Sequence, residues 1–156
     1  MATTDVPAPS YAHNMRLIGH TDQNGRGDGQ QIMVRGGHAY IGHVCSRGFS
    51  VIDVSDPTRP KAVNYIENPP NTWSLHLQVH DNLLLLVHGR DMFSQPEMAD
   101  ERNYYKPKAG RHDDHATPQT RDWSAGMAVF DLSEPAAPRQ IGFMPVEGTK
   151  IGRAHV

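Results

Sequence analysis

The fold of this chain is decided by a stretch of nineteen residues that occurs twice, GFSVIDVSDPTRPKAVNYI at residues 48–66 and GMAVFDLSEPAAPRQIGFM at residues 126–144. The copies align without a gap, and six positions are identical, namely Gly48/Gly126, Val51/Val129, Asp53/Asp131, Ser55/Ser133, Pro57/Pro135 and Pro60/Pro138. Each Asp/Glu-Pro-x-x-Pro segment is typical of a turn, because proline fixes φ and removes a backbone donor. Each copy therefore predicts two strands joined by a turn.

A second pair of related stretches lies upstream of these copies, IMVRGGHAYIGH at residues 32–43 and LQVHDNLLLLVH at residues 77–88. Each pattern predicts a hairpin, with its turn at Gly36-Gly37 or at Asp81-Asn82. The hairpins are 45 positions apart, which is the period of a β-propeller blade, whereas the nineteen-residue copies are 78 positions apart. The difference predicts an insertion of 33 residues in the second unit, over about residues 89–122.

These repeats predict an all-β fold, an incomplete β-propeller of about two four-stranded antiparallel blades plus an N-terminal outer strand. Blade one is expected over about residues 28–68, with strands near 30–34, 38–44, 49–54 and 61–67. Blade two is expected over about residues 72–147, with strands near 74–79, 83–88, 127–132 and 139–145. The outer strand is predicted at residues 15–20, because MRLIGH shares Ile-Gly with RQIGFM at 139–144.

Two blades do not close a ring, so missing C-terminal blades are expected to pack on residues 15–20 and 139–147. The partial propeller is therefore predicted to occupy residues 15–148, after a disordered segment at residues 1–14. Residues 149–156 are expected to be a non-native tail, since the last six look like a translated sequencing adapter. On this interpretation the chain is an N-terminal fragment.

Composition narrows the function classes. A hydrophobic content of 37% with 14 Gly and 12 Pro favours short strands and many turns. The balance of 15 basic and 17 acidic residues predicts no nucleic-acid partner, and no apolar run is long enough to predict a membrane span. The start of the chain shows no signal peptide, and the single cysteine excludes an internal disulfide, so a cytoplasmic protein is expected.

Histidines are the candidate site residues. On a strand, His76, Gln78 and His80 would share one face, opposite the apolar Leu75, Leu77 and Val79. If this is the innermost strand of its blade, these side chains could bind a ligand, and His76 with His80 could bind a divalent transition metal. His43 and His88 occupy the same repeat position, which indicates either a shared structural hydrogen bond or two ligand-binding residues around one axis. The sequence identifies no catalytic residue and no other cofactor.

The units GFSVIDVSDPTRPKAV and GMAVFDLSEPAAPRQI resemble LVIVD repeats, the motif of a family of bacterial β-propeller proteins. A more distant likeness is to selenium-binding, methanethiol-oxidase-type propellers, in which histidines near the central channel bind a metal. The first resemblance implies a module that binds a small molecule or a protein at its loops or channel mouth. The alternative is a fragment of a metal-dependent propeller enzyme, an oxidoreductase or hydrolase, that uses channel histidines.

Overall fold

The structure is a computed structural model that describes residues 11–74, 76–91 and 122–146. Every regular element in this part of the chain is a β-strand, so the predicted all-β class is confirmed. The strands are β1 (Gly29–Arg35), β2 (His38–His43), β3 (Gly48–Asp53), β4 (Lys61–Glu67), β5 (Thr72–Trp73), β6 (Leu77–His80), β7 (Leu83–Arg90), β8 (Gly126–Asp131) and β9 (Arg139–Pro145). Within the same residues, no helix has the length and apolar character that crossing a membrane requires.

The strands form two antiparallel sheets. Sheet one has the order β1-β2-β3-β4, and sheet two has the order β5-β7-β8-β9, with β6 pairing along the same edge of β7 as β5. Both sheets therefore follow the chain from an innermost strand to an outermost one, as two consecutive blades of a propeller do. The predicted incomplete propeller with two blades is confirmed at this level.

The two sheets have the same register in every strand pair. Residues that face each other in sheet one correspond, by the repeat, to residues that face each other in sheet two: Met33/Tyr40 to Gln78/Leu85, Tyr40/Val51 to Leu85/Val129, and Val51/Asn64 to Val129/Gly142. Even the bulge recurs, after Val51 in one sheet and after Val129 in the other. The repeat in the sequence therefore corresponds to a repeat in the structure, with one copy in each sheet.

The hydrophobic core lies between the sheets. Sheet one contributes the buried Tyr40, Phe49 and Val51, and sheet two contributes Leu77, Leu84, Leu86, Ala128 and Phe130. Phe49 and Phe130 meet edge to face, with ring centroids 5.2 Å apart. Four hydrogen bonds cross the same joint. They run from Tyr40 Oη to the Pro135 carbonyl, from Asn64 Nδ2 to the Ala136 carbonyl, from Leu77 N–H to Gln31 Oε1 and from the Arg35 guanidinium to Asn82 Oδ1. Each sheet therefore has one face packed on the other. The opposite face of sheet one is covered in its centre, where Ala39, Ser50 and Ile52 are buried and Arg26 lies over the Tyr65 ring. The opposite face of sheet two is its free face.

The innermost strand of sheet two differs from the prediction, which placed one strand at residues 74–79. The structure has two short strands, β5 and β6, because three residues separate Trp73 from Leu77 whereas only two separate their partners Gly89 and Leu86. Such an extra residue makes a β-bulge, which bends the strand. Ser74, in the bulge, forms an isolated bridge to His43 of sheet one. The bulge thus connects the two sheets.

The predicted outer strand at residues 15–20 is the second difference. These residues form no strand, and Met15, Leu17 and Ile18 are exposed. Gly19 instead lies against the turn at Pro57 and Pro60, where a Cβ atom on Gly19 would stand 2.2 Å from the Pro57 carbonyl oxygen. The physical reason is that an outer strand needs a third strand of its own blade to pair with, and the described residues supply none.

The predicted insertion begins later than expected, because β7 continues to Arg90. Residues 92–121, which make up most of the insertion, lie outside the described residues, as do residues 1–10, 75 and 147–156. The predicted disordered segment and the predicted non-native tail fall wholly or largely on those ranges. The division of the chain into these segments therefore stays a prediction.

Candidate functional site

The predicted His76, Gln78 and His80 cluster lies at the inner edge of sheet two. Gln78 and His80 are exposed on β6 and alternate with Leu77, which is buried, and Val79, which packs against the core. The predicted alternation is therefore confirmed for β6. His76 is also exposed but precedes β6, and its carbonyl accepts a hydrogen bond from Val87 N–H. Gln78 pairs with Leu85, so the two side chains lie on the same face of sheet two. The repeat counterpart of Leu85 is Tyr40, which lies on the face of sheet one that packs onto the following sheet. In the described part of the chain the corresponding face of sheet two has no following sheet, so Gln78 lies on the free face.

His43 is placed differently, since it is fully buried at the end of β2. Its Nε2 is 2.7 Å from Ser50 Oγ on β3, and its Nδ1 is 3.1 Å from Asp28 Oδ1, just before β1. The carboxylate accepts from Nδ1–H, which fixes the tautomer and leaves Nε2 to accept from the Ser50 hydroxyl. Burial lowers the pKa of His43, and the charge of Asp28 opposes that shift. The ring therefore links Asp28, just before β1, to Ser50 on β3 in one hydrogen-bonded chain.

Asp28 also holds the loop between β2 and β3. Its carboxylate accepts hydrogen bonds from the N–H groups of Cys45 and Ser46, each at 2.6 Å, and from the Ser46 hydroxyl at 2.7 Å. Burial alone would raise its pKa, but the hydrogen bonds from Ser46 and Cys45 and the nearby His43 lower it to about 2. The carboxylate is therefore ionised at neutral pH, as its role as a fourfold acceptor requires.

The order hydroxyl, imidazole, carboxylate in Ser50, His43 and Asp28 has the connectivity of a nucleophile-activating relay in hydrolases. Two features separate it from such a site. Ser50 is 1% exposed, so its hydroxyl does not reach a substrate. The N–H groups of Cys45 and Ser46, in the loop after β2, are directed at Asp28 and cannot stabilise an oxyanion. The geometry supports a structural role for the relay.

His88 repeats the position of His43 in sheet two, but with a different set of partners. It is 2% exposed, its Nδ1 is 3.0 Å from Ser124 Oγ, and Ser124 is the repeat counterpart of Ser46. The counterpart of Ser50 is Ala128, so the hydroxyl that His43 binds through Nε2 is missing here. Among the described residues nothing hydrogen-bonds to His88 Nε2. Burial lowers the pKa of His88 to about 4, so the ring is neutral at neutral pH.

Further buried polar groups join these two histidine sites across the joint between the sheets. Thr72 Oγ1 accepts a hydrogen bond from Ser124 N–H at 2.7 Å. In sheet one the Asp28 carboxylate accepts the equivalent hydrogen bond from Ser46 N–H. Ser74 Oγ and the Asn68 side chain are hydrogen-bonded to each other. We call this group, with His43, His88 and their partners, the polar end of the sheets. The insertion starts beside the polar end, after the last residue of β7.

One ion pair also crosses this end. Arg47 Nε lies 2.8 Å from the carboxylate of Asp91, which is 1% exposed. Arg47 belongs to the loop that Asp28 holds, and Asp91 follows β7 directly, where the insertion starts. Because a buried carboxylate is costly without its partner, this pair ties the start of the insertion to sheet one.

In the part of the chain that the structure describes, no complete set of metal ligands is present for the predicted metal site. Within residues 11–74, 76–91 and 122–146, no three His, Cys, Asp or Glu side chains lie together as a metal site needs. His76 and His80 are exposed on sheet two, whereas His43 and His88 are buried at the polar end. The ligand-binding and metal-binding roles of these residues stay predictions.

Sequence reasoning missed Asp28, Ser50 and Ser124. Asp28 is fifteen positions from His43, and the two residues meet only because β1 pairs with β2. The pair Ser46/Ser124 did carry a signal, because it extends the repeat two residues upstream of Gly48/Gly126. That extension would have placed both hydroxyls beside the equivalent histidines.

No curated protein matches the chain. A family model described as the LVIVD repeat matches residues 26–66. The matched range begins two residues before Asp28 and covers sheet one up to the last residue but one of β4, so it contains the whole Ser50–His43–Asp28 relay. Sheet one is therefore similar to an LVIVD repeat.

Proposed function

We propose that this chain is the binding module of an LVIVD-repeat β-propeller and that its binding surface is the free face of sheet two. The observation that supports the proposal is the composition of that face. Its central residues are apolar and only half-buried, although they sit in the middle of the sheet: Leu85, Val87, Met127 and Val129. Met144, on β9, is 54% exposed.

An apolar sheet face of this kind indicates an interaction surface, because a sheet normally buries its apolar residues against another layer. Gln78 lies in register beside Leu85 and supplies a polar margin along the inner edge. The sequence prediction that missing blades pack on residues 139–147 concerns the same surface, since β9 is its outer strand. A protein partner therefore suits this face better than a small molecule.

The proposal is tested with 1-anilinonaphthalene-8-sulfonate, whose fluorescence rises when it binds exposed apolar surface. The Val129→Asp variant should bind less of the dye than the wild type, because a carboxylate then stands in the centre of the face. Val63→Asp is the matched control, since Val63 is the bulged, 44% exposed residue of β4 and lies apart from this face. Circular dichroism establishes that both variants are folded. Equal dye binding by all three proteins would contradict the proposal.

The competing hypothesis, a metal-dependent enzyme, makes a different prediction. It requires stoichiometric zinc, copper or iron that is lost when His76 and His80 are both replaced by alanine. Elemental analysis of the purified chain measures this directly. Such a metal would favour the enzyme over the binding module, and it would assign His76 and His80 as ligands.

A further inference from the structure

Each sheet has one face turned away from the joint, and these two faces differ. On sheet one the residues at the centre of this face are buried, and the segment from Gly19 to Asp28 runs across it, with Arg26 over the Tyr65 ring. On the free face of sheet two the central side chains are half-buried, and Met144 is 54% exposed. Among the described residues, the free face of sheet two is therefore the one open apolar sheet face.

The free face is uneven, because the side chains along each row across the strands differ in size. The register places four residues side by side in one row, from the inner strand to the outer one: Gln78, Leu85, Val129 and Gly142. The two longer side chains stand on the inner half of this row. On the outer half, Gly142 leaves a hollow, since a Cβ atom there would meet only Val129 within 4 Å, at 3.8 Å.

The next row slopes in the opposite direction. It consists of Val87, Met127 and Met144, on β7, β8 and β9, so its short side chain is on the inner half and its long ones are in the middle and on the outer half. Neither row contains a charged residue. The ion pair between Asp131 and Arg139, 3.6 Å apart, lies at the corner of the face beside the β8–β9 turn. The centre of the face can therefore be buried without burying a charge.

The sizes of these side chains make the free face complementary to itself. A twofold axis parallel to the strands, between β7 and β8, places each row over the same row of a second copy in reverse order. Gln78 then lies over the hollow at the second copy's Gly142, Leu85 lies over its Val129, and Met127 lies over its Val87. Long side chains thus meet short ones in both rows, as in two aligned sheets that pack about 10 Å apart.

We propose that the partner of the free face is the free face of a second copy of this chain, docked about this twofold axis. The proposal rests on the binding role of the sheet-two face given above and names its partner. Because both copies use the same surface, the contact is isologous. It uses the one open sheet face that the described part of each chain has, so association stops at the dimer.

Sedimentation velocity of the full chain tests the proposal. The wild type should pass from monomer to dimer as its concentration rises and should form no larger species. Val129→Asp should stay monomeric, because the dimer would bury its carboxylate against the second copy's Leu85. Val63→Asp is the control and should dimerise like the wild type, since Val63 lies apart from the free face. Circular dichroism establishes that each protein is folded.

A second set of variants tests the contact between Gln78 and the hollow. Gly142→Val fills the hollow, and the monomer can accommodate the side chain because its Cβ atom makes only an ordinary contact with Val129. This variant should raise the dissociation constant of the dimer about tenfold, since the second copy's Gln78 loses its space. Adding Gln78→Ala to Gly142→Val should bring the dissociation constant back towards the wild-type value. An unchanged dissociation constant for Gly142→Val would overturn the twofold arrangement.

Three further outcomes overturn the proposal: a wild-type chain that is folded and monomeric at every concentration, species that keep growing beyond the dimer, or a dimer that Val129→Asp still forms. The dye comparison described above is made at a concentration at which the wild type is monomeric. If the wild type is monomeric throughout while Val129→Asp still lowers dye binding, the free face is a binding surface whose partner is another protein. If dye binding is unchanged as well, the proposed function itself fails.

Discussion

His43 and His88 occupy equivalent positions in the two sheets, yet the second nitrogen of each ring has different surroundings. His43 Nε2 meets the hydroxyl of Ser50, whereas Ala128 stands at the matching position beside His88. The serine and the alanine are both almost completely buried, at 1% and 0% exposed. Sheet two therefore buries a polar nitrogen that sheet one satisfies, and such a loss is costly because the group also gives up its water.

Replacing Ala128 by serine should restore the missing partner. The hydroxyl adds one atom at a position where sheet one already accommodates it, so Ala128→Ser should raise the free energy of unfolding by about 1 kcal/mol. Ser50→Ala is the matched variant and should lower it by about 1–3 kcal/mol, since it leaves His43 Nε2 unpaired. Urea denaturation at pH 7.5 measures both. A destabilised Ala128→Ser protein would show that His88 Nε2 does not point at this position.

At the scale of the element, the repeated glycines at the start of β3 and β8 have a steric cause. A Cβ atom on Gly48 would stand 2.2 Å from the carbonyl oxygen of Ile66, and one on Gly126 would stand 2.3 Å from that of Met144. The outer strand of each sheet thus passes so close to the start of the third strand that only glycine fits. This contact explains why glycine opens both nineteen-residue copies.

Gly48→Ala should therefore lower the free energy of unfolding by at least about 1–3 kcal/mol, because the backbone of β4 must move away. Gly27→Ala is the control, since a Cβ atom there meets nothing within 4 Å. Its stability should stay close to that of the wild type. Thermal unfolding followed by circular dichroism compares them, and an unperturbed Gly48→Ala protein would contradict the close approach of β4.

Most of the strands could be predicted from the sequence, because turn residues and alternating apolar residues are local patterns. The repeat shows each of these patterns in two copies. The break between β5 and β6 could not, since a bulge is defined by the count of residues on the neighbouring strand β7. The partners of His43 were missed for the same reason. Hydrogen bonds between residues on different strands depend on register, and register is a property of the assembled sheet.

For the whole molecule, the core shared by the two sheets makes one cooperative unit out of two repeats. Neither sheet buries its packed face alone, as is typical of repeat proteins, in which stability comes largely from the contacts between neighbours. Phe49 of sheet one is fully buried against Phe130 of sheet two. A destabilising substitution in sheet one should therefore also lower the stability of sheet two.

The two tryptophans of the chain allow this coupling to be measured, because Trp73 lies in β5 and Trp123 lies just before β8. Phe49→Leu replaces a residue of sheet one at its contact with Phe130 and should lower the free energy of unfolding by about 1 kcal/mol through lost packing. The urea midpoint from tryptophan fluorescence should fall together with the midpoint from circular dichroism. Val63→Ala, on the exposed side of β4, should leave both midpoints nearly unchanged. If instead the fluorescence midpoint stayed constant while circular dichroism showed two transitions, the two sheets would unfold separately, and the joint between them would not make one cooperative unit.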